Sequence, residues 1–306
     1  MTDHLVECVP NFSEGRNAET IRALVDAVQA VPRVALLDHT MDADHHRAVL
    51  TFAGAPDAVA EAAFRAAKQA TALIDLRRHE GGHPRVGATD VVPFVPLRGV
   101  TMEDCAAVAR RVGERIGREL GIPVFLYEQA AAKPDRAGLE TIRRGGLEGL
   151  AHRMETDPGW APDFGPRRLH PTAGATVVGA RRILVAFNVN LETRDLDLAR
   201  AIAKTVRQSN GGLPYVKAIG VPLAGRGLVQ VAMNLVNIEE TPVHAAFEAV
   251  RREAEKRGVR VAGSELIGLV PRQAVLQAET HGVSIQALDP STVLEAKLDQ
   301  AGFGLL

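Results

Sequence analysis

The chain has 306 residues, enough for two domains of about 150 residues or for one larger domain. Apolar residues make up 46% and charged residues 24%, a composition that excludes a wholly disordered chain. The net charge is only -1, so the overall charge does not indicate a nucleic-acid partner.

The first half of the sequence alternates strand and helix patterns. A strand pattern beginning at Leu5 is followed by a helix pattern over residues 18–31, in which apolar residues recur at helical spacing. Two strand patterns, an alanine-rich helix pattern after Pro56, a glycine-rich loop and a third apolar strand pattern follow. In chain order after the first helix they are RVALLDH, HHRAVLTFAG, residues 57–70, HEGGHPRVGATD and VVPFVP.

The second half repeats this order. Its strand patterns are ILVAFNVNL, YVKAIGVPL, GLVQVAMNLVNI and VRVAGSELIGLVP. Thr193 is predicted to cap the first helix of this half, and Thr241 with Pro242 is predicted to open the second, since threonine suits the cap and proline the first turn.

The two halves also match in spacing. Asn11 and Asn188 are 177 positions apart (188 - 11), and the final prolines of VVPFVP and ELIGLVP are 175 apart (271 - 96). Near-constant offsets predict an α/β (α+β) protein built from a duplicated βαββαβ unit, the split ferredoxin-like arrangement. We predict two subdomains, residues 1–180 and 181–306.

Extra material lies between the two predicted units. Thr101 and Asp104 predict a capping box for a helix that stops at Gly121, and a short helix is expected around residues 139–153. Residues 160–176, WAPDFGPRRLHPTAGAT, form the join between the halves and lack any apolar period. A stiff segment of this length favours a functional role.

The stretch HEGGHP matches the His-Glu-x-x-His pattern of zinc enzymes, which requires a helix. Gly81 and Gly82 disfavour that helix and Pro84 directs His83 toward extended geometry, so we predict a loop and no metal site. His83 is then the best candidate for acid–base chemistry, because an imidazole exchanges protons near neutral pH.

Other chemistry has less support. Cys8 lies in an apolar strand pattern, and adjacent His45 and His46 are expected on opposite faces of a strand, which disfavours a shared metal. Five arginines beside glycine or proline, or at strand starts, are candidates for binding anions. They are Arg47, Arg85, Arg167, Arg168 and Arg226.

Five ordered segments resemble the formiminotransferase family over about residues 5–300. They are ECVPNFSEGRN, HHRAVLTFAG, HPRVGATDVVPFVP, WAPDFGP and ILVAFNVNL. The resemblance implies two ferredoxin-like halves with a substrate tunnel between them. It also implies transfer of a formimino group from N-formimino-L-glutamate to N5 of tetrahydrofolate, a step of histidine degradation and one-carbon metabolism.

The resemblance also implies the site residues. The catalytic histidine of the family falls on His83, and Glu80 is not part of the family pattern. The folate-binding stretch of the family falls on Gly165, Pro166, Arg167, Arg168, Leu169, His170, Pro171, Thr172, Ala173 and Gly174. Some members have tryptophan at the position of Ala173. Tetrahydrofolate is expected as co-substrate, with no metal.

Three alternatives remain open on the sequence. They are transfer of formyl between N-formylglutamate and tetrahydrofolate, a folate-binding protein without catalysis, and a metal hydrolase. Parallel assays with both donors, glutamate release by a His83→Ala variant and metal analysis of the purified protein discriminate among them.

The sequence shows no basic region followed by a long apolar run at its start and no apolar run of roughly 20 residues, so no membrane association is expected. Two cysteines, Cys8 and Cys105, favour a reducing cytoplasm. The resemblance implies a homodimer. The sequence ends at Leu306 without a cyclodeaminase domain, so we expect the product to pass to a separate cyclodeaminase.

Overall fold

A computed structural model of the protein describes residues 4–81, 84–223, 226–286 and 288–304. The chain divides between Arg181 and Arg182 into two compact units. Each unit has its own sheet and its own apolar core.

The first unit contains seven strands and five α-helices among its described residues. In chain order these elements are β1 Leu5–Cys8, β2 Asn11–Phe12, α1 Ala18–Gln29, β3 Val34–Asp42, β4 Arg47–Gly54, α2 Pro56–Leu73, β5 Thr89–Arg98, α3 Met102–Leu120, β6 Val124–Glu128, α4 Leu139–Arg143, α5 Gly146–Thr156 and β7 Thr176–Ala180.

One seven-stranded sheet organises the first unit. Strand β4 pairs with β3 on one side and with β1 and β2 on the other, and β1 and β2 in turn pair with β5, all antiparallel. Strands β7 and β6 then extend the sheet beyond β5 in parallel. Because β5 and β7 are parallel neighbours, the segments that lead into them reach the sheet at the same end.

Helices cover both faces of the parallel edge of this sheet. The larger core packs α1, α2 and α3 against one face, where Leu50, Phe52 and Phe94 are fully buried. On the other face, Phe125 and Val177 pack with residues of α4 and α5. Near-continuous apolar strands such as VVPFVP are the expected signature of a sheet buried on both faces.

Helix α3 follows its sequence signals. Thr101 and Asp104 form the predicted reciprocal capping box, and Gly121 ends the helix with a positive φ of 67°. The glycines inside α3 permit close packing: a Cβ on Gly113 would lie 3.2 Å from Val124 Cγ1, and one on Gly117 would lie 2.7 Å from the backbone N of Gly165. Helix α3 is thus packed directly against the segment that carries the predicted folate-binding stretch.

Residues 160–176 are part of the first unit and do not link it to the second, which corrects the sequence interpretation. Phe164 N–H and O bond to the Val124 backbone, and β7 follows as an interior strand of the sheet. The expected helix over residues 139–153 is two helices, α4 and α5, separated at Gly145, whose φ of 76° is incompatible with a continuous helix.

The second unit is a four-stranded antiparallel sheet with helices. Its elements are β8 Val185–Leu191, α6 Leu196–Val206, β9 Val216–Leu223, β10 Leu228–Leu235, α7 Val243–Glu255, β11 Val261–Ile267, α8 Arg272–Thr280 and α9 Leu294–Gln300. The strand order is β11-β8-β10-β9.

The two units share one connection plan. In the second unit, β8, α6, β9, β10, α7 and β11 follow the order βαββαβ, with the first strand between the third and the fourth. In the first unit, β1 with β2, then α1, β3, β4, α2 and β5 have the same order and the same neighbours. The predicted repeat of one βαββαβ unit therefore matches the observed element order.

Both predicted threonine caps of the second unit are wrong. The carboxylate of Asp195 caps α6 by accepting the N–H groups of Asp197 and Leu198. The hydroxyl of Thr241 donates to the Pro214 carbonyl oxygen at 2.6 Å, and α7 begins at Val243 without a side-chain cap.

Candidate active site

The loop predicted to present a catalytic histidine follows α2 and leads into β5. Leu76–Arg78 form a single 3-10 turn, after which His79–Gly81 and Pro84–Arg85 are irregular, so the predicted loop is confirmed for these residues. His83 itself lies outside the described residues. A Cβ on Gly81 would lie 2.6 Å from the carbonyl oxygen of His45, so this loop packs tightly against the β3–β4 hairpin.

Backbone hydrogen bonds join this loop to the predicted folate-binding stretch. Leu76 N–H donates to the Thr172 carbonyl oxygen and Ala88 N–H donates to that of Ala173, both at 2.9 Å. In return, Ala175 N–H donates to the Val86 carbonyl oxygen at 2.8 Å. The two stretches, about 90 residues apart in the sequence, are therefore adjacent in space.

Two glycines make this approach possible. A Cβ on Gly87 would lie 1.7 Å from the Ala175 carbonyl oxygen, and one on Gly174 would lie 2.4 Å from that of Val86. Gly174 also has a φ of 69°, a conformation that side chains disfavour. Any larger residue at either position would separate the two stretches.

Residues 170–174 form a tight turn closed by His170. The backbones of His170 and Gly174 exchange two hydrogen bonds, and the ring Nδ1 of His170 accepts the N–H of Ala173 at 3.0 Å. Burial lowers the pKa of His170, which favours the neutral ring that this acceptor role requires.

The remainder of the stretch lies at the surface. Arg167 and Arg168 are exposed, and Arg167 Nε donates to the Met154 carbonyl oxygen at 2.8 Å. Together with Ala151, Glu155 and Leu169 these residues line an open cavity of about 470 Å³. Ala173 is different, because its side chain is buried in the larger core.

A histidine pair fixes the other side of the loop. The rings of His46 and His79 stack with centroids 4.1 Å apart; His79 Nε2 donates to the His46 carbonyl oxygen at 2.8 Å, and His46 Nδ1 donates to that of Glu80 at 2.9 Å. Burial lowers the pKa of His79, and Glu14 accepts from His46 Nε2 at 3.1 Å. The expectation that His45 and His46 lie on a strand is wrong, because both are in the β3–β4 turn.

A buried carboxylate ties the end of the loop to α4. Asp90 is 2% exposed; its Oδ1 accepts the Val86 N–H at 2.7 Å and its Oδ2 accepts from Arg143. Asp90 lies in the register shift where β5 pairs with β2, between Thr89 opposite Phe12 and Val91 opposite Asn11. Nothing in the sequence pairs Asp90 with Arg143, which is 53 positions away.

Family models match nearly the whole chain. The N-terminal subdomain of the formiminotransferase domain matches residues 5–181, and the second formiminotransferase model matches residues 186–296. The chain belongs to the formiminotransferase family.

Relatives of full length and of double length support this assignment. The chain is 48% identical to glutamate formimidoyltransferase of Streptococcus pyogenes serotype M1, covering 93% of this chain and 95% of the relative. It is 43% identical to that of Thermoplasma acidophilum, covering 97% and 98%. The formimidoyltransferase-cyclodeaminase of Rattus norvegicus is 45% identical over 90% of this chain, which covers 51% of that protein.

The cysteines of this formiminotransferase are poorly suited to nucleophilic catalysis. Burial raises the pKa of the Cys105 thiol to about 12 and raises that of Cys8 well above its ordinary value. A thiol that remains protonated is a weak nucleophile. Within the described ranges, no three His, Cys, Asp or Glu side chains are placed to share a metal ion, and no helix is long and apolar enough to cross a membrane.

The predicted anion-binding arginines separate into three groups. Arg85 lies in the loop and donates to the His79 carbonyl oxygen at 2.8 Å, whereas Arg47 follows His46, whose ring bonds the Glu80 carbonyl oxygen. Arg167 and Arg168 line the open cavity, and Arg226 is an exposed turn residue of the second unit. Sequence reasoning missed His79, Asp90 and Arg143, whose roles depend on contacts between distant segments.

Proposed function

We propose that this formiminotransferase transfers the formimino group of N-formimino-L-glutamate to N5 of tetrahydrofolate and releases L-glutamate. The observation that carries the proposal is the backbone pairing of residues 86–88 with residues 173–175, which brings the loop of His83 against the predicted folate-binding stretch. The names and identities of the full-length relatives support the same reaction.

The reaction needs one group that exchanges a proton. A bond forms between N5 of tetrahydrofolate and the formimino carbon, and the bond from that carbon to the glutamate nitrogen breaks. We assign His83 to remove the N5 proton and to return it to the leaving nitrogen, a general base and acid role suited to imidazole. Orientation of two bound substrates supplies much of the remaining rate enhancement.

The chain's own residues constrain that loop from both sides. The His46 and His79 pair holds residues 79–80, and Asp90 holds the backbone of Val86, so the segment carrying His83 is anchored three residues before and three residues after it. Tetrahydrofolate is expected as co-substrate, with Gly165–Gly174 contacting it. No metal is included in the proposed mechanism.

The decisive assay mixes metal-stripped protein with N-formimino-L-glutamate, with and without tetrahydrofolate, and measures released glutamate. Release that depends on tetrahydrofolate and persists in chelator supports the proposal. N-formylglutamate is tested in parallel. Preference for that donor would replace formimino transfer with formyl transfer, and tetrahydrofolate binding without release would leave a folate-binding protein. Release without folate that appears only after a divalent metal is restored to the stripped protein would indicate a metal hydrolase.

We predict that His83→Ala lowers turnover by roughly 100-fold to 10,000-fold, the usual effect of losing a general base. The matched control is His152→Ala, because His152 is exposed on α5. Steady-state rates of the two variants are compared with both substrates saturating. A His83→Ala rate within a few fold of the unchanged protein would remove His83 from the catalytic role.

We also propose that the protein is a cytoplasmic homodimer whose product passes to a separate cyclodeaminase. Two free, buried thiols suit a reducing compartment. The full-length relatives of Streptococcus pyogenes and Thermoplasma acidophilum are named for the transferase alone, whereas this chain covers 51% of the formimidoyltransferase-cyclodeaminase of Rattus norvegicus. Sedimentation tests the dimer, and ammonia release by the purified protein alone would contradict a separate cyclodeaminase.

A further inference from the structure

Two guanidinium groups of the first unit lie beside the loop that carries His83. Arg47 is the first residue of β4 and follows His46, whose ring bonds the Glu80 carbonyl oxygen. Arg143 is the last residue of α4 and contacts Asp90, which binds the backbone of Val86. Each arginine is thus linked to the loop through one other residue, Arg47 through the adjacent His46 and Arg143 through Asp90.

Arg47 is partly buried and lacks a partner for its charge. Its side chain forms no hydrogen bond or ion pair with any residue in the part of the chain that the structure describes. Burial lowers the pKa of Arg47, the charge of Arg143 lowers it further, and the carboxylates of Asp42 and Asp90 act in the opposite direction. An arginine nevertheless remains charged at neutral pH, so a bound anion would stabilise this partly buried group.

The nearby carboxylates are already used. Both oxygens of Asp42 accept from His45, one from its backbone N–H at 2.8 Å and one from ring Nδ1 at 2.6 Å. The two oxygens of Asp90 accept from Val86 and Arg143. Neither aspartate accepts a hydrogen bond from the Arg47 side chain.

Arg143 also has unused donor capacity. Its side chain is 15% exposed and one terminal nitrogen binds Asp90, but its Nε is buried without a hydrogen-bond partner among the described atoms. Phe12 of β2 lies opposite Ala48, which follows Arg47, and also opposite Thr89, which precedes the Asp90 that Arg143 contacts. Like charges on the two guanidinium groups repel each other, and an incoming carboxylate would offset that repulsion while accepting N–H bonds. Arginine presents its donors as a planar fork that matches a carboxylate.

We propose that Arg47, with Arg143 beside it, forms a subsite for a substrate carboxylate. The inference rests on the proposed function for the identity of the ligand, since both N-formimino-L-glutamate and the glutamate tail of tetrahydrofolate present carboxylates. The shared chemistry is a carboxylate held by two partly buried guanidinium groups. Arg47 is a binding residue in this assignment, and His83 keeps the proton transfer.

Calorimetric titration of Arg47→Gln with each ligand separately tests the subsite. Loss of a charge-assisted contact should weaken the binding of the affected ligand by roughly 10-fold to 100-fold. Weaker binding of N-formimino-L-glutamate and L-glutamate places the donor at Arg47. Weaker binding of tetrahydrofolate, with no change for a pteroate lacking the glutamate tail, places the folate carboxylate there. Unchanged affinity for all ligands would overturn the subsite.

Two further variants separate binding from folding. Arg47→Lys keeps the charge but loses the planar fork, so it should show an intermediate loss of affinity with an unchanged melting temperature. Arg110→Gln is the matched control, because Arg110 lies on α3 in an exposed ion pair with Glu103. If Arg47→Gln fails to fold, Arg47→Lys with full affinity overturns the proposal.

Failure of the subsite is distinguishable from failure of the proposed function. Tetrahydrofolate-dependent glutamate release by the unchanged protein, together with unaltered binding by the Arg47 variants, removes only the subsite. Carboxylate binding that depends on Arg47 without any transfer removes only the proposed reaction. Binding of none of the ligands by the unchanged protein would remove both.

Discussion

Asp163 shows how one side chain holds the turn that precedes the predicted folate-binding stretch. Its Oδ1 accepts from Arg136 at 2.5 Å, and its Oδ2 accepts the Leu126 N–H at 2.7 Å. The ion pair is buried, with Arg136 2% and Asp163 8% exposed, and Arg136 also donates to the Ala161 carbonyl oxygen. The aspartate of the Asp-Phe-Gly-Pro turn therefore stabilises the structure by fixing this turn to Arg136 and to the Leu126 backbone.

We predict that Asp163→Ala lowers the free energy of unfolding by about 3–5 kcal/mol, because it leaves the Arg136 charge buried and unpaired. Equilibrium unfolding in urea measures the change. Asp57→Ala is the control: Asp57 pairs with Arg111 on the surface, where such pairs contribute about 0–1 kcal/mol. Equal losses in the two variants would contradict a special role for the buried pair.

Single residues were predictable where a local rule governs them. Gly81 was expected to break a helix, and the capping pair of Thr101 and Asp104 was recognised from its spacing. The stack of His46 on His79 and the contact of Arg143 with Asp90 were not predictable, because each joins segments 33 or 53 positions apart. The backbone position of His83 remains a prediction.

At the scale of elements, α3 supports the folate-binding stretch through its glycines. A helix interior normally gains about 1 kcal/mol when glycine becomes alanine. Gly117 should behave in the opposite way, because its Cβ would lie 2.7 Å from Gly165 N and 3.0 Å from Phe164 C, which are backbone atoms.

We predict that Gly117→Ala destabilises the protein by about 1–3 kcal/mol, as overpacking does, and weakens tetrahydrofolate binding by displacing Phe164 and Gly165. Gly113→Ala is the internal comparison, since its Cβ would meet only side-chain atoms, at 3.2 Å and beyond. Urea unfolding and folate titration are measured for both. A stabilised Gly117→Ala variant would contradict the proposed packing constraint.

Element boundaries were harder to predict than element identity. Helix α6 begins later than Thr193 predicts because Asp195, two residues further on, accepts two of the free N–H groups of the first turn, those of Asp197 and Leu198. Thr241 is not a cap because its hydroxyl bonds Pro214, a residue 27 positions away. A threonine has one hydroxyl, and tertiary contacts determine how it is used.

At the scale of the whole molecule, histidine rings that are buried or partly buried make the stability of the folded protein depend on pH. Burial lowers the pKa of His79, His170 and His244 below the ordinary value of 6.5. His244 also stacks on His281 with centroids 3.5 Å apart, and the charge of His281 lowers its pKa further. Between the folded and unfolded pKa values, the unfolded chain binds more protons, so acidification favours unfolding.

We therefore predict that the melting temperature is constant above about pH 6.5 and falls as the pH decreases through the lowered pKa values. His244→Asn should make the fall shallower, because one of the three groups no longer titrates. His152→Asn, a change at an exposed position, is the control. Scanning calorimetry between pH 5 and 8 checks both; a slope unchanged in His244→Asn would exclude this contribution.

The duplicated plan was predictable at this scale because each half shows the same order of apolar periods, and the observed strand order of both units agrees with it. The extra strands of the first unit were not predictable. Strands β6 and β7 join the first sheet in parallel, and only their pairing shows that residues 160–176 are an internal crossover. Strand pairing over long sequence separations has no local signature.

The parallel pairing of β5 with β7 also leads us to expect an order in which contacts form during refolding. Val91 lies opposite Val177, 86 positions later (177 - 91), and the backbone contacts between the two site segments come immediately before this alignment in the chain. Contacts that close such a long loop form slowly compared with hairpins such as β3 with β4. During refolding, secondary structure should therefore recover before catalytic activity, so that enzyme assays report the last step of assembly.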